Sequence, residues 1–300
     1  MVPVLTINNR VVHLTNLERL LWPDSGYTKR DLIRYYIEVS PFLLPYLENR
    51  PLVVRRFPGG IGRESFYQKN IPAGAPDWIK AHPIAHGERE IAHYIVANDV
   101  ETLTWLGNQA CLELHPWLSS SDTLEQPDFA VFDLDPMEKS TFQQVCRVAL
   151  LIRELLDCLG LKCYPKTSGA TGIQVYLPLI AIYSYREVRR FVEAICRQVN
   201  EQLPDITTME RLIKKRGGKI YLDYLQNGRG KTIVAPYSPR PLPGAPVSMP
   251  LSWEEVAGGK IRPEQFSIST ALDYLKKNSN RYQAIITDKQ KLPEIAIKCN

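Results

Sequence analysis

Two aspartates one residue apart, in Val131-Phe132-Asp133-Leu134-Asp135-Pro136, are the residues of this chain best spaced for chemistry. The apolar lead-in reads as a buried strand. On it Asp133 and Asp135 share one face, and Phe132 and Leu134 share the other. Their Cα atoms would stand about 6.5–7 Å apart. Two like charges that close on a core strand are costly unless something positive neutralises them. A divalent cation answers that need, and hard carboxylate oxygens favour Mg²⁺ or Mn²⁺. A strand-end Asp pair capping the following loop fits the same two residues.

The elements around the pair decide what else reaches them. Phe129 to Leu134 reads as a strand. Ser140 with Gln143 is expected to cap a helix bearing Val145, Val148, Ile152, Leu155 and Leu159, ended by Gly160. Leu161 to Tyr164 reads as a second strand and Ile173 to Leu177 as a third. Ser184 with Glu187 caps a second helix, and Lys219 to Leu225 alternates as a fourth strand. This order, β-α-β-β-α-β, is the split βαβ arrangement, in which the first strand is flanked by the third and the fourth. Asp223 on the fourth strand and Gln174 on the third would then lie beside Asp133 and Asp135. Three carboxylates on adjacent strands make a plausible two-metal site. The loop Ser168-Gly169-Ala170-Thr171-Gly172 enters the third strand. Its glycines would let backbone N–H groups converge on an anion, with the Ser168 hydroxyl as a further donor, although a plain hairpin turn fits it too. Metals beside an anion nest suggest phosphoryl or nucleotidyl transfer.

Upstream, residues 16 to 23 read as a short helix stopped by Pro23. Thr28 with Asp31 caps a helix through about Val39. Lys29 sits in its first turn and Arg19 a short loop away. The pair could grip a phosphate at the helix N-terminus or be solvated surface cations. Pro51 to Phe57 reads as a strand carrying Arg55. Phe66 and Tyr67 stand among Arg63 and Lys69, where they could stack on bases or be buried in a core. Glu90 to Ala97 alternates like a strand. Asn98 with Glu101 is expected to cap a helix to about Leu112, followed by a stretch bearing His115, a residue type that is usually structural when alone.

Composition sets bounds. Three hundred residues suit one large or two modest domains. A formal charge of +5, with clusters at Arg55-Arg56, Arg189-Arg190 and Lys214-Lys215-Arg216, suits a polyanionic partner. No secretory leader, membrane-spanning stretch, CxxC motif or Cys/His metal spacing is present, so the expectation is a reduced, cytoplasmic, nucleoid-associated protein with no membrane partner.

Taken together, TNLERLLWPDSGYTK, RPLVVRRFPGG, SFYQK, LELHPW, VFDLDP, KTSGATGIQVYLPL, KIYLDYLQNGRGKTIVAPYSPR and PGAPVS resemble, in the same order, the polymerase domain of bacterial ATP-dependent DNA ligase D. That family belongs to the archaeo-eukaryotic primase superfamily, and the resemblance runs from about Thr15 to Trp253. It implies an α+β primase-polymerase fold. An N-terminal α/β module (about 1–115) would pack against a split βαβ catalytic module (about 116–240), followed by an extension (about 241–300). It implies that Asp133, Asp135 and Asp223 are catalytic and hold two Mn²⁺ or Mg²⁺ ions. His115, Ser168, Gly169, Gly172, Gln174, Arg216 and Arg240 would bind the incoming NTP or dNTP, ribonucleotides being preferred. Arg19 and Lys29 would bind the 5′-phosphate of a DNA gap or broken end, and Arg55, Phe66 and Tyr67 would contact DNA or bases. The setting would be non-homologous end joining.

Three positions depart from that family's pattern: Gln174 where His is usual, Thr171 where Lys is usual, and Leu242 where Arg is usual. No KxDG ligase motif is present, so the expectation is a stand-alone polymerase working with a separate DNA ligase and a Ku-type end-binding protein. Two rivals share some of the signal. A haloacid-dehalogenase-type phosphatase has a VFDLD-like nucleophile motif, but on a Rossmann-like alternation. A non-catalytic DNA-end-binding factor would accommodate the three departures.

Overall fold

A computed structural model of the chain describes residues 3–87, 90–278 and 281–293. These fall into two compact units. The first comprises residues 1–122, 232–248 and 266–279, and the second residues 123–231, 249–265 and 280–300. The stretch after residue 240 thus contributes to both. Among the described residues no helix is long and apolar enough to cross a membrane.

The first unit opens with two small ladders, β1 (Val4–Ile7) with β2 (Arg10–His13), and β3 (Leu20–Trp22) with β4 (Tyr27–Thr28). The helix expected over residues 16–23 is therefore not formed. Leu21 and Trp22 are both fully buried, which adjacent residues on a strand achieve here across a tight turn at Pro23–Ser25. Helix α1 (Lys29–Leu43) starts at the Thr28/Asp31 capping box, as its sequence predicts. It packs on α2 (Val100–Asn108), with Ile33 and Tyr36 lying against Gly107. The cap of α2 is Asp99, one residue past the expected Asn98. Asn98 is occupied elsewhere, donating from Nδ2 to Asn49 Oδ1 at 2.7 Å. A five-stranded sheet follows, of β5 (Pro51–Arg56), β6 (Phe66–Gln68), β7 (Ala81–His86), β8 (Glu90–Val96) and β9 (Cys111–Pro116). β5 is its hub, pairing antiparallel with β6, β8 and β9.

The second unit is built on β10 (Phe129–Asp135), β11 (Tyr164–Thr167), β12 (Ile173–Pro178), β13 (Thr207–Thr208) and β14 (Ile220–Asp223), in the order β11-β12-β10-β14-β13. The central strand is thus flanked by the expected third and fourth strands of a split βαβ unit. β13 is an added short parallel strand, and the second strand begins three residues later than predicted. Helices α3 (Phe142–Cys158) and α4 (Tyr185–Gln202) pack on this sheet with buried stripes that include Val145, Val148 and Ile152, and Val188, Val192 and Ile195. The α3 cap is Thr141 with Gln144, one residue beyond Ser140, whose hydroxyl donates instead to Gly218 O at 2.9 Å.

Two local devices keep β10 in place. β14 pairs only with residues 133–135, leaving Val131 without a strand partner on that side. Asn227 fills the gap: its Oδ1 accepts from Val131 N at 2.8 Å and its Nδ2 donates to Val131 O at 2.7 Å. At Gly172 a Cβ would lie 2.2 Å from Leu134 O, so only glycine lets the Ser168–Gly172 loop close on the central strand.

Candidate active site

β10 carries Asp133 and Asp135 on one face, alternating with buried Phe132 and Leu134. Register then does what spacing alone could not show. Asp133 stands directly opposite Asp223 on one side and Gln174 on the other, while Asp135 stands opposite Tyr221. Gln174 in turn stands opposite Lys166 on β11. Lys166, Gln174, Asp133 and Asp223 therefore form one line across four strands.

The electrostatics of that line are those of crowded carboxylates. Burial pushes the Asp133 carboxyl up to about 6; the charges of Asp223 and Asp135 add to this, against the opposing Gln174 hydrogen bond and Lys166 charge. Asp223 is raised as well, by burial above all, despite hydrogen bonds from Tyr221 and Leu225. Each carboxylate is turned to an internal partner. Gln174 Nε2 donates to Asp133 Oδ1 at 3.1 Å. Arg216 Nη1 donates to Asp135 Oδ2 at 3.0 Å, its guanidinium lying 3.8 Å over the Tyr221 ring. Asp223 Oδ1 accepts from Tyr221 and from Leu225 N. Among the described residues no three acidic, His or Cys side chains converge tightly enough to enclose an ion. The donor set nevertheless fits hard divalent cations: three carboxylates at neighbouring positions of one sheet face, of which Asp133 and Asp223 have raised proton affinities that a bound cation would relieve.

The expected anion nest has a particular form. Ser168 Oγ accepts from the N–H groups of Ala170 and Gly172 at 3.2 and 3.0 Å, and Gly169 turns at φ 72°. Two of the loop's backbone donors thus converge on the serine oxygen. Thr171 at its tip is exposed.

In the first unit, β5 places Arg55 opposite Tyr67 and Arg56 opposite Phe66. The Arg55 guanidinium lies 5.2 Å over the exposed Tyr67 ring, and that of Arg56 lies 5.4 Å over Phe66. Such rings can stack on bases while the cations meet phosphates. Glu113 on β9, almost wholly buried, draws three expected site residues together. Arg240 Nε lies 2.7 Å from its Oε1, and Arg55 Nη1 and His115 Nε2 lie 3.3 and 3.7 Å from its Oε2. Burial alone would raise the Glu113 carboxyl, but His115, Arg240 and Arg55 hold it below the usual carboxylate range.

Lys29 begins α1 and is buried, donating to Asn108 O at 2.8 Å. Burial, with the nearby charges of Arg19 and Arg56, lowers its ammonium to about 8. Cationic charge gathered at a helix N-terminus is an arrangement that could receive an anion. Arg56, Glu113 and Lys166 were not among the residues expected from sequence. Each meets an expected site residue of its own unit through a cross-strand or long-range contact, which sequence spacing does not reveal.

A split βαβ sheet with carboxylates on its central strand, beside a Ser-Gly loop, defines a class of proteins built for transfer of nucleotidyl or phosphoryl groups. It is not the parallel, doubly wound sheet of a haloacid-dehalogenase phosphatase, since β10, β11, β12 and β14 all pair antiparallel. Comparison with known proteins narrows the class. The family described as LigD, primase-polymerase domain, matches residues 28–282. The bifunctional non-homologous end joining protein LigD of Bacillus subtilis is 41% identical over 267 residues, covering 89% of this chain and 43% of that protein. The multifunctional LigD of Pseudomonas aeruginosa is 32% identical over 247 residues, 82% of this chain and 29% of that one. Among solved structures, the polymerase domain of Mycobacterium tuberculosis ligase D in complex with DNA superposes with a TM-score of 0.85 at 29% identity, covering 93% of this chain and 99% of that one. The chain belongs to the LigD primase-polymerase domain family of nucleotidyltransferases, and it spans less than half the length of these curated relatives.

Proposed function

We propose that this chain carries out template-directed nucleotidyl transfer, filling gaps or extending ends of broken DNA in non-homologous end joining, with ribonucleotides preferred. The observation that carries the reading is the register of β10 with β14. It sets Asp133 directly opposite Asp223, with Asp135 two residues along the same face, in a chain of this family. The relatives' repair role and the DNA bound to the mycobacterial domain support the same reading.

In this reading Asp133, Asp135 and Asp223 hold two Mn²⁺ or Mg²⁺ ions. Bound there, these supply activation of the primer 3′-hydroxyl and stabilisation of the departing pyrophosphate. The remaining groups bind and orient. Ser168 offers its hydroxyl to the triphosphate from a loop that Gly172 seats against Leu134. Arg216 leaves its pairing with Asp135 available for exchange with a phosphate. His115 and Arg240, preset by Glu113, take the nucleotide's charge. Arg19 and Lys29, with Arg56, receive the 5′-phosphate, and Arg55, Phe66 and Tyr67 pack on the template. Partners follow from that chemistry: DNA with a gap or break bearing a 5′-phosphate, NTPs or dNTPs, a ligase activity and a Ku-type end-binding protein. Extension of a labelled gapped duplex, with ribo- and deoxyribonucleotides in parallel, tests it. Template-matched addition supports the reading. DNA binding without addition in either metal would favour a non-catalytic end-binding factor.

A further inference from the structure

Resting on the metal reading above, we propose that Gln174 and Lys166 are positioning residues for the carboxylate of Asp133, and that Gln174 is not a contact of the incoming nucleotide. The four-strand line makes the argument. Lys166 and Gln174 are opposite one another on β11 and β12, and Gln174 and Asp133 are opposite on β12 and β10. Lys166 has no exposed surface and Gln174 is 4% exposed. An ammonium has donors only, so the atom facing it must accept. Lys166 Nζ lies 2.5 Å from Gln174 Oε1, which fixes which way the amide points. Its Nε2 is thereby aimed at Asp133 Oδ1, at 3.1 Å, and a carboxylate can only accept. The sequence donor, acceptor-donor, acceptor has a single solution.

That arrangement accounts for two burials that a nucleotide contact does not. A lysine with no exposed surface is expensive unless its ammonium is well partnered. Here it has the amide oxygen and lies 5.5 Å over the Tyr176 ring. A glutamine meant for a mobile triphosphate has no need of a buried lysine to set its amide. A glutamine meant to hold one oxygen of a metal-binding carboxylate does, because a flipped amide would turn Oε1 against Asp133. Groups that orient metal ligands in this way commonly change metal affinity 10- to 100-fold when removed.

The test is isothermal titration of Mn²⁺ into the nucleotide-free, DNA-free protein, with nucleotide KM measured separately at saturating Mn²⁺. Gln174→Leu and Gln174→Ala should each weaken Mn²⁺ binding about 10- to 100-fold and leave nucleotide KM within about twofold. Lys166→Met should weaken Mn²⁺ binding likewise, and the Lys166→Met, Gln174→Leu double variant should be no weaker than the worse single one. Non-additivity of this kind marks residues acting as one unit. Melting in EDTA identifies variants that fold, and the two Gln174 variants guard against loss of either. Unchanged Mn²⁺ affinity with raised nucleotide KM in the Gln174 variants overturns the assignment and returns Gln174 to the nucleotide. Tighter Mn²⁺ binding by Lys166→Met, or additive losses, overturns the role of Lys166. Absence of Mn²⁺ binding by the unsubstituted protein overturns the metal reading itself, and this assignment with it.

Discussion

Replacing Asp133 by asparagine should stabilise the metal-free protein while removing its response to metal. The Asp133 carboxyl ordinarily titrates near 3.8 and is pushed up to about 6 in the folded chain, burial being the largest cause. A raised carboxyl favours folding only while protonated. Its contribution is fully present below about 3.8 and is lost as pH rises through about 6. At pH 7.5 the ionised carboxylate therefore opposes folding. About two pKa units at 1.36 kcal/mol each give on the order of 2–3 kcal/mol. Asparagine keeps an oxygen for Gln174 Nε2 and carries no charge, so most of that cost should disappear. At roughly 2–4 °C per kcal/mol for domains of 150–250 residues, Tm in EDTA should rise by several degrees. The wild type should lose more stability between pH 5 and pH 7.5 than the variant, which keeps only the raised carboxyl of Asp223. Millimolar Mn²⁺ should stabilise only the wild type, since a ligand that binds the native state alone raises Tm by mass action. Differential scanning fluorimetry across that pH range, with EDTA and with Mn²⁺, gives all four numbers. An asparagine variant that melts at or below the wild type in EDTA at pH 7.5 would refute the electrostatic reasoning.

Other consequences can be checked together. Arg19→Ala with Lys29→Ala should erase the preference for a 5′-phosphorylated gap, worth about ten- to a hundredfold in affinity for a charge-assisted contact, as read by fluorescence anisotropy; unchanged discrimination would place the pocket elsewhere. Because the Lys29 ammonium is lowered to about 8, the same preference in the wild type should shrink as pH rises from 7 to 9, the lysine losing its charge across that window; a flat profile would exclude Lys29. Gly172→Ala must push the loop off Leu134 O and should cost most of the extension activity with DNA affinity retained, so wild-type turnover would show that the loop's seat on β10 is not needed. Asn227→Ala leaves the Val131 N–H and C=O buried without partners and should destabilise by about 2–4 kcal/mol, measured by urea unfolding; a loss below ~1 kcal/mol would contradict its bridging role.

The sequence made the catalytic sheet legible because its signals were local and mutually consistent. The alternation in Val131–Asp135, the Ser184/Glu187 cap and the glycine ending α3 each mark one element, and their order alone names the topology. Where it misled, two local solutions competed. Ser140/Gln143 and Thr141/Gln144 satisfy the same capping pattern, and the choice fell to Thr141 because Ser140 bonds to Gly218 O. Leu20-Leu21-Trp22 looked helical beside Leu17, but pairing with Tyr27–Thr28 buries Leu21 and Trp22 together. The candidate site was legible as a set of residue types and not as a network. That Lys166 reaches Asp133 through Gln174, that Glu113 gathers Arg55, His115 and Arg240, and that Arg56 joins Arg19 in depressing Lys29 all depend on strand register or distant packing, which no window of sequence encodes.

Asp133 and Asp223, brought face to face by β10 and β14, are proposed to hold the metals of a nucleotidyl transfer. Primer extension across a labelled 5′-phosphorylated gap, in Mn²⁺ and in Mg²⁺, with wild type, Asp133→Ala and Asp223→Ala at matched DNA occupancy, tests it most directly. The wild type should add template-matched nucleotides and neither variant should extend above background, with DNA affinity little changed because the cations assigned to DNA phosphates lie on other elements. Substantial extension by either variant in Mn²⁺ would contradict it.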